Sequence, residues 1–222
     1  MIKALVFDFD GTIIDTETAW YIAFRDAYKE HGVDLTLEMY SQCIGTSLKT
    51  FNPYEYLITD LNLPIDREVF RESVQLQHAA LMNKEKVRPG IQEYLEQARE
   101  AGLKLAVASS SKREWVEQHL EQLKLKDYFE VIRTADDVAN VKPDPELYTQ
   151  ALEALGVTAD EAVAIEDSPN GARAAAAAGM HCVVISNTIT GTLEFDMPHQ
   201  RLSCLTDLAF NDLISKPLVT TV

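Results

Sequence analysis

Cysteine and clustered histidine are scarce in this sequence. Its 222 residues include three cysteines, Cys43, Cys182 and Cys204, and no Cys-x-x-Cys pair. This wide spacing is typical of reduced thiols in the cytosol and argues against a disulfide framework or a zinc site. The five histidines are equally scattered. The sequence therefore predicts no metal centre built from sulfur or imidazole ligands.

Positive charge and long hydrophobic runs are also lacking. The chain has 20 Lys and Arg against 35 Asp and Glu, a net charge of −15, and no basic stripe. Neither nucleic acid nor an anionic membrane is an expected partner, and an anionic substrate must be held by local cations. No apolar run approaches the roughly 18 residues of a membrane span, and acids interrupt the N-terminal segment too early for a signal peptide. The expected location is the cytoplasm.

Buried strands are predicted from short apolar runs. With 46% hydrophobic residues, the chain can bury about 70% of its unfolded surface, enough for one core domain and a smaller attachment. From about Lys86 onward, apolar runs at 103–108, 162–165 and 181–185 alternate with segments of helical periodicity. Such runs are typical of parallel strands buried on both faces. The sequence thus predicts an α/β fold with a doubly wound parallel sheet.

The connections between these strands are predicted as helices. Sequences that match a capping box begin at Ser111 and Thr158, and each predicts the start of a helix. On this interpretation Ser111 is a capping residue. Two groups of apolar residues recur at helical spacing: Ile91, Tyr94, Leu95 and Ala98, then Trp115, Val116, Leu120 and Leu123.

Residues 16–85 break the alternating pattern. They lack buried-strand runs and consist of several amphipathic helices, so we predict a helical cap domain inserted between core segments 1–15 and 86–222. One helix should end near Gly32, and Asp66 is a candidate N-cap for the last. The insert would form a lid over the strand ends that excludes water and selects substrates. The alternative is that it merely thickens the fold. The residues that predict this last helix, which leads back to the core, are Val69, Val74, Leu76, Leu81 and Met82.

Two carboxylates stand where the first strand ends. An apolar strand leads into Asp8-Phe9-Asp10-Gly11-Thr12. Residues two apart in an extended chain point the same way, so Asp8 and Asp10 can face one small space while Phe9 enters the core. Buried charges cost free energy unless a metal, a cation or a reaction uses them, which favours a catalytic pair. The alternative is a strand that ends in solvated acids.

Three further polar segments occupy positions where open α/β sheets bind ligands. Ser109 and Ser110 follow the second core strand, and hydroxyl and amide groups at a helix start suit phosphate oxygens. Lys142 lies in a stretch stiffened by two prolines just before a helix, although an exposed lysine is the alternative. Glu166 and Asp167 end the next apolar strand. Adjacent acids there suit Mg²⁺, and helix capping by Asp167 or Ser168 is the competing explanation.

Together these four motifs resemble, in order and spacing, those of the haloacid dehalogenase-like hydrolase superfamily. The resemblance covers essentially the whole chain, including a helical cap inserted after the first motif. It is greatest for the branch that contains β-phosphoglucomutase and small-molecule phosphatases. The segments that carry this assignment are Glu166-Asp167-Ser168-Pro169-Asn170-Gly171 and Val87-Arg88-Pro89-Gly90.

The resemblance implies a Mg²⁺-dependent phosphatase that acts on a small phosphorylated metabolite, and we expect a monomer. Asp8 would be the nucleophile that forms an aspartyl phosphate, and Asp10 the general acid and base. Mg²⁺ would be held by Asp8, the backbone carbonyl of Asp10 and Asp167, with Glu166 in or near the shell. The residues expected to hold the phosphate or shape its site are Gly11, Thr12, Ser109, Ser110 and Lys142.

The resemblance leaves other reactions to weigh. Family mutases carry a His in the first cap helix and an Arg in the cap, and the matched positions here are Trp20 and Leu48. An apolar side chain cannot replace a guanidinium, so hydrolysis of a monophosphate is favoured over mutase activity. Dehalogenases of this fold lack the second acid that Asp10 supplies. A binding module without catalysis is a further alternative, and the intact acid cluster argues against it.

Overall fold

A six-stranded parallel sheet forms the centre of the computed structural model, which describes residues 1–43, 51–195 and 200–215. The strand order is β3-β2-β1-β4-β5-β6, so the first strand lies in the middle and the connections run to both sides. All five pairs of neighbours are parallel, which confirms the predicted doubly wound sheet. The strands are β1 (Ala4–Phe7), β2 (Lys104–Ala108), β3 (Val131–Arg133), β4 (Ala162–Glu166), β5 (His181–Ile185) and β6 (Gln200–Leu202).

Helices cover both faces of this sheet because its central strands carry buried apolar side chains on both faces. Leu5 and Phe7 of β1 pack on one face in a cluster with α4, α5 and α8, whereas Ala4 and Val6 pack on the other with α6 and α7. The helices that cover the sheet are α4 (Ile91–Glu100), α5 (Arg113–Gln122), α6 (Glu146–Leu155), α7 (Pro169–Ala177) and α8 (Phe210–Ser215). No helix in the described part of the chain has the length and hydropathy needed to cross a bilayer.

The cap segment folds around a hydrophobic cluster of its own. Its main helices, α1 and α3, pack against each other. Asp66 caps α3 as predicted, because its carboxylate accepts the backbone N–H groups of Glu68 and Val69. The predicted last helix is α3, but the apolar residues that predicted it do not all lie on its buried face. Val69 and Leu76 are 65% and 66% exposed, because the buried face follows a spacing of four residues. That face consists of Phe70, Val74, His78 and Met82. The elements of the cap are α1 (Thr16–Glu30), α2 (Leu37–Ser41), a π-helical turn (Tyr56–Asp60) and α3 (Arg67–Met82).

The two predicted capping boxes have different outcomes. At Thr158 the box is present, but it encloses a 3₁₀ turn at Ala159–Glu161 and does not start an α-helix. At Ser111 the prediction was wrong, since α5 begins at Arg113 after Lys112 without a side-chain cap. The Ser111 hydroxyl is used elsewhere, because the chain leaves β2 at the edge of the sheet where the acid pair lies.

The two chain crossings between cap and core lie side by side. Ile14 and Val87 form an isolated antiparallel bridge, and the N–H of Arg88 donates to the carbonyl of Ile13 (2.9 Å). The Arg88 guanidinium donates to the carbonyls of Ile185 (2.8 Å), Ser186 (2.9 Å) and Gly11. The return crossing is therefore tied to the turn that follows the first carboxylates.

Candidate active site

Asp8 extends β1 into a buried position at the carboxyl edge of the sheet. Its N–H donates to the carbonyl of Ile165 on β4 (2.9 Å), which continues the ladder and fixes the backbone. Its Oδ1 accepts a hydrogen bond from Lys142 Nζ (2.6 Å). Its Oδ2 is buried and has no hydrogen-bond partner among the described residues. One carboxylate oxygen is thus held in place, and the other is left for a ligand or a reaction.

Lys142 is buried between two carboxylates. Its side chain is 5% exposed, and Nζ donates to Asp8 and to Glu166 Oε1 (2.6 Å each), so it is not the solvent-exposed lysine of the alternative reading. The Tyr148 hydroxyl also donates to Glu166 Oε1 (2.6 Å), and the N–H of Asp167 donates to Oε2 (3.1 Å). Both oxygens of Glu166 are therefore engaged by the protein.

This buried cluster contains more negative than positive charge. Burial raises the pKa of Asp8 to about 7, with the negative charge of Glu166 adding to the rise and Lys142 opposing it. Burial also raises the pKa of Asp167 well above its usual value, and the charges of Asp8 and Glu166 add to that effect. Burial by itself would lower the pKa of Lys142, but the Asp8 and Glu166 carboxylates outweigh it and raise the pKa. Three buried carboxylates thus share one ammonium group.

The carboxylates converge as a cation site requires. One oxygen from each of Asp8, Glu166 and Asp167 lies within 4.8 Å of the others. Asn187 Nδ2 donates to Asp167 Oδ2 (2.8 Å) and orients that carboxylate. Gly11 has a φ of +86°, and a Cβ there would lie 2.1 Å from Asp167 Oδ2, so no side chain fits. Hard carboxylate oxygens such as these fit Mg²⁺.

Asp10 is held by three donors from one segment. Its Oδ2 accepts hydrogen bonds from the hydroxyls of Ser111 (2.7 Å) and Ser109 (3.3 Å), and its Oδ1 accepts from Trp115 Nε1 (2.9 Å). Sequence reasoning identified Ser109 but missed Ser111 and Trp115, which it assigned to a helix cap and a helix face. Their position directly after the end of β2 was the signal that could have found them.

The predicted phosphate-binding residues fall into two groups. Ser110 and Lys142 line the cleft that also contains Asp8 and Asp10. Ser109 is fully buried, and its hydroxyl both donates to Asp10 and accepts the N–H of Ser111. The N–H groups of Gly11 and Thr12 donate within their own turn, at 2.8 and 3.3 Å. Direct contacts from Gly11 and Thr12 to a phosphate stay a prediction.

The cleft has a volume of about 340 Å³ and is lined by both cap and core. The first turns of α1 contribute Thr16, Glu17 and Trp20 to the lining of the same cleft as Asp8 and Asp10. Burial raises the pKa of Glu17 to about 7, and the charges of Asp10 and Asp15 add to the rise. A larger cavity of about 610 Å³, beside Arg88, is lined by neither Asp8 nor Asp10. The smaller cleft is therefore the candidate active site.

Comparison with known proteins agrees with this geometry. A family model described as haloacid dehalogenase-like hydrolase matches residues 5–185. YhcW of Bacillus subtilis, named as a candidate phosphatase, is 46% identical over 208 residues, 94% of each chain. A phosphorylated carbohydrates phosphatase of Thermotoga maritima is 32% identical over 80% of this chain and 82% of its own length. The crystal structure of CbbY from Rhodobacter sphaeroides in complex with phosphate has a TM-score of 0.70 at 32% identity, covering 94% of this chain and 97% of CbbY.

The chain belongs to the haloacid dehalogenase-like hydrolase family, as its four motifs predicted. The names of its relatives agree with the phosphatase that the motifs imply. Of the two positions matched to the His and Arg of family mutases, Trp20 lines the cleft and stacks on His78, with ring centroids 3.6 Å apart. Leu48 lies outside the described residues.

Proposed function

We propose that this protein hydrolyses the phosphate monoester of a small metabolite, with Asp8 as the nucleophile. The observation that carries the proposal is the hydrogen bonding of the two oxygens of the Asp8 carboxylate. Lys142 holds one oxygen, and the other is buried without a partner in a cleft that also contains Asp10. A side chain in such a place costs folding free energy, and covalent catalysis gives it a use.

In the first half of the reaction, Asp8 Oδ2 attacks phosphorus. The new O–P bond forms as the bond from phosphorus to the leaving oxygen breaks, and Asp10 gives that oxygen its proton. In the second half, Asp10 accepts a proton from water as the water oxygen attacks the phosphorus of the aspartyl phosphate. Inorganic phosphate is released and the Asp8 carboxylate is restored. The division replaces one very slow hydrolysis by two easier displacements.

Positive charge is needed because an anion must attack an anion. Lys142 supplies one charge at Asp8, and Ser110 adds a hydroxyl at the cleft wall. Asp8, Asp167 and the backbone carbonyl of Asp10 would hold Mg²⁺, which supplies further positive charge beside the transferring phosphoryl group when bound. Because both oxygens of Glu166 already accept hydrogen bonds, we assign it the task of orienting Lys142.

The charge of the cleft favours a substrate with one phosphate. Among the described residues that line it, Lys142 is the only cation, and it is already paired with two carboxylates. The same lining includes the acids Glu17, Asp10 and Asp167. A second phosphate would therefore meet negative charge, whereas the neutral hydroxyls of a sugar would not. A sugar monophosphate fits this cleft better than a bisphosphate does.

We expect release of inorganic phosphate from sugar monophosphates, with little conversion of β-glucose 1-phosphate to glucose 6-phosphate. A mutase must hold the idle phosphate of a bisphosphate intermediate, and Trp20 offers no charge for it. Both products can be measured in one reaction primed with β-glucose 1,6-bisphosphate. Isomerisation faster than phosphate release would establish the mutase. Turnover of neither β-glucose 1-phosphate nor p-nitrophenyl phosphate would favour a binding module.

Activity should depend on Mg²⁺, because the site offers carboxylate oxygens that converge within 4.8 Å. Chelation with EDTA should abolish hydrolysis of p-nitrophenyl phosphate, and added Mg²⁺ should restore it. Ca²⁺ should inhibit, since its looser coordination lets a carboxylate bind through both oxygens, and Asp8 would then lose its attacking atom. Stimulation by Mn²⁺ would agree with this scheme. Full activity after exhaustive chelation would contradict it.

A further inference from the structure

The donor at Asp10 Oδ1 differs in kind from the two at Oδ2. A serine hydroxyl can rotate and can accept as well as donate a hydrogen bond, whereas an indole N–H is a donor only. Ser109 and Ser111 can therefore adapt when Asp10 gives up or takes a proton. Trp115 Nε1, 2.9 Å from Oδ1, cannot. Its bond reserves Oδ1 as an acceptor and leaves Oδ2, beside the cleft-lining Ser111, for proton transfer.

The indole of Trp115 is itself held in position by an aromatic stack. The centroid of its ring lies 4.0 Å from that of His119, which is tilted against it, and 6.0 Å from that of His78 at an interplanar angle of 22°. His78 stacks in turn on Trp20. Trp115 and His119 belong to α5 of the core, whereas His78 and Trp20 belong to α3 and α1 of the cap. Rotation of the indole away from Asp10 would therefore disturb contacts with both parts of the molecule.

We propose that Trp115 is a positioning residue for the general acid: its indole N–H, fixed by the cap-to-core stack, orients the Asp10 carboxylate so that Oδ2 serves the leaving oxygen. This inference rests on the proposed function, since it assumes that Asp10 protonates a leaving group. It assigns a part in catalysis to a residue that is not among those lining the cleft. The Trp side chain acts through Asp10 alone.

The test compares Trp115→Phe with the wild type on two substrates. Phe keeps an aromatic ring for the stack and removes the N–H. General-acid help matters most for a poor leaving group, so we expect kcat/KM for phenyl phosphate to fall about tenfold, the usual effect of losing a hydrogen bond to a charged group. For p-nitrophenyl phosphate, whose leaving group needs little protonation, the fall should stay under about threefold. Since kcat/KM covers the steps up to phosphorylation of Asp8, it reports this difference even where a later step limits turnover.

Two controls separate positioning from damage to the fold. Val116→Ala removes buried side-chain volume from the same helix without touching Asp10, and it should lower the melting temperature and leave the ratio of the two substrates unchanged. In an Asp10→Asn background, Trp115→Phe should cause no further loss on phenyl phosphate, because the residue it orients no longer transfers a proton. Equal losses on both substrates, or a full further loss in the Asp10→Asn background, would overturn the proposal.

A second measurement covers the case in which Trp115→Phe folds poorly. The chain has two tryptophans, so the indole ¹⁵N–¹H spectrum has two signals, which Trp20→Phe assigns. Asp10→Asn replaces the charged acceptor by an amide and should move the Trp115 signal; an unmoved signal would overturn the proposal. The failure of the proposed function looks different. In that case the wild type would hydrolyse neither ester, or Asp8→Asn would keep measurable turnover, whatever Trp115→Phe does.

Discussion

Asp8→Asn should leave no measurable phosphatase activity, on either good or poor leaving groups. The amide cannot supply the anionic oxygen that attacks phosphorus, and no other carboxylate in the described cleft has an unpaired buried oxygen. The remaining rate should therefore equal the rate without enzyme. Release of p-nitrophenol under Mg²⁺ gives the most sensitive measurement. Turnover at even a few per cent of the wild-type rate would exclude Asp8 as the nucleophile.

The same substitution should not weaken the fold. It removes one of three carboxylates that are buried around a single ammonium group, so repulsion within the cluster falls. In the absence of metal we expect the melting temperature to rise by about 3 °C, the shift that roughly 1 kcal/mol produces in a chain of this length. Asp160→Asn, at an exposed position in the turn before β4, is the matched control and should change neither property. A marked fall in melting temperature would mean that Asp8 serves the structure.

Asp10→Asn should slow turnover by a factor of about 10²–10⁴, the usual contribution of a general acid or base to the rate. The amide can keep the geometry, with its oxygen towards Trp115 and its NH₂ towards Ser111, so the loss would come from chemistry and not from a misplaced side chain. Asp8 should still be phosphorylated by a substrate with a good leaving group. Rapid mixing with p-nitrophenyl phosphate should thus show a burst of p-nitrophenol followed by slow turnover.

The contrast between the two variants is the decisive comparison. A nucleophile is needed for both halves of the reaction, whereas a proton donor matters less when the leaving group is stable as an anion. Asp8→Asn should therefore give no burst, and Asp10→Asn should give one whose amplitude approaches one per enzyme molecule. Equal residual rates without a burst in either variant would contradict the assignment of these roles.

The central strands and the acid pair could be predicted because local chemistry determines them. β1 and β4 are fully buried, so their apolar runs are unbroken, and charges at their ends stand out. The edge strands gave no such signal. β3 and β6 have three residues each, none of them buried, and β6 contains Gln200 and Arg201. Their pairing depends on the neighbouring strand and not on their own composition.

The partners of the acids could be predicted only in part. Lys142 and Ser109 belong to recognisable motifs. Tyr148 reaches Glu166 from α6, where its sequence pattern is that of a core residue. Ser111 matched a capping box, and Trp115 matched a helix face. Both patterns describe one chain segment, whereas the contact with Asp10 joins positions about a hundred residues apart. Short-range patterns carry no information about such contacts.

The paired crossings at Ile14 and Val87 make the helical segment a module with a narrow attachment. The chain leaves the core and returns to it at neighbouring positions. For the core, the intervening segment is therefore equivalent to a single loop whose two ends lie together. The entropy of closing a loop grows only with the logarithm of its length, so each doubling costs about 0.6 kcal/mol. Insertions of very different size can thus be exchanged at this point with little effect on core stability. Such an attachment would allow the segment that brings Thr16, Glu17 and Trp20 to the cleft to be replaced while Asp8 and Asp10 keep their places.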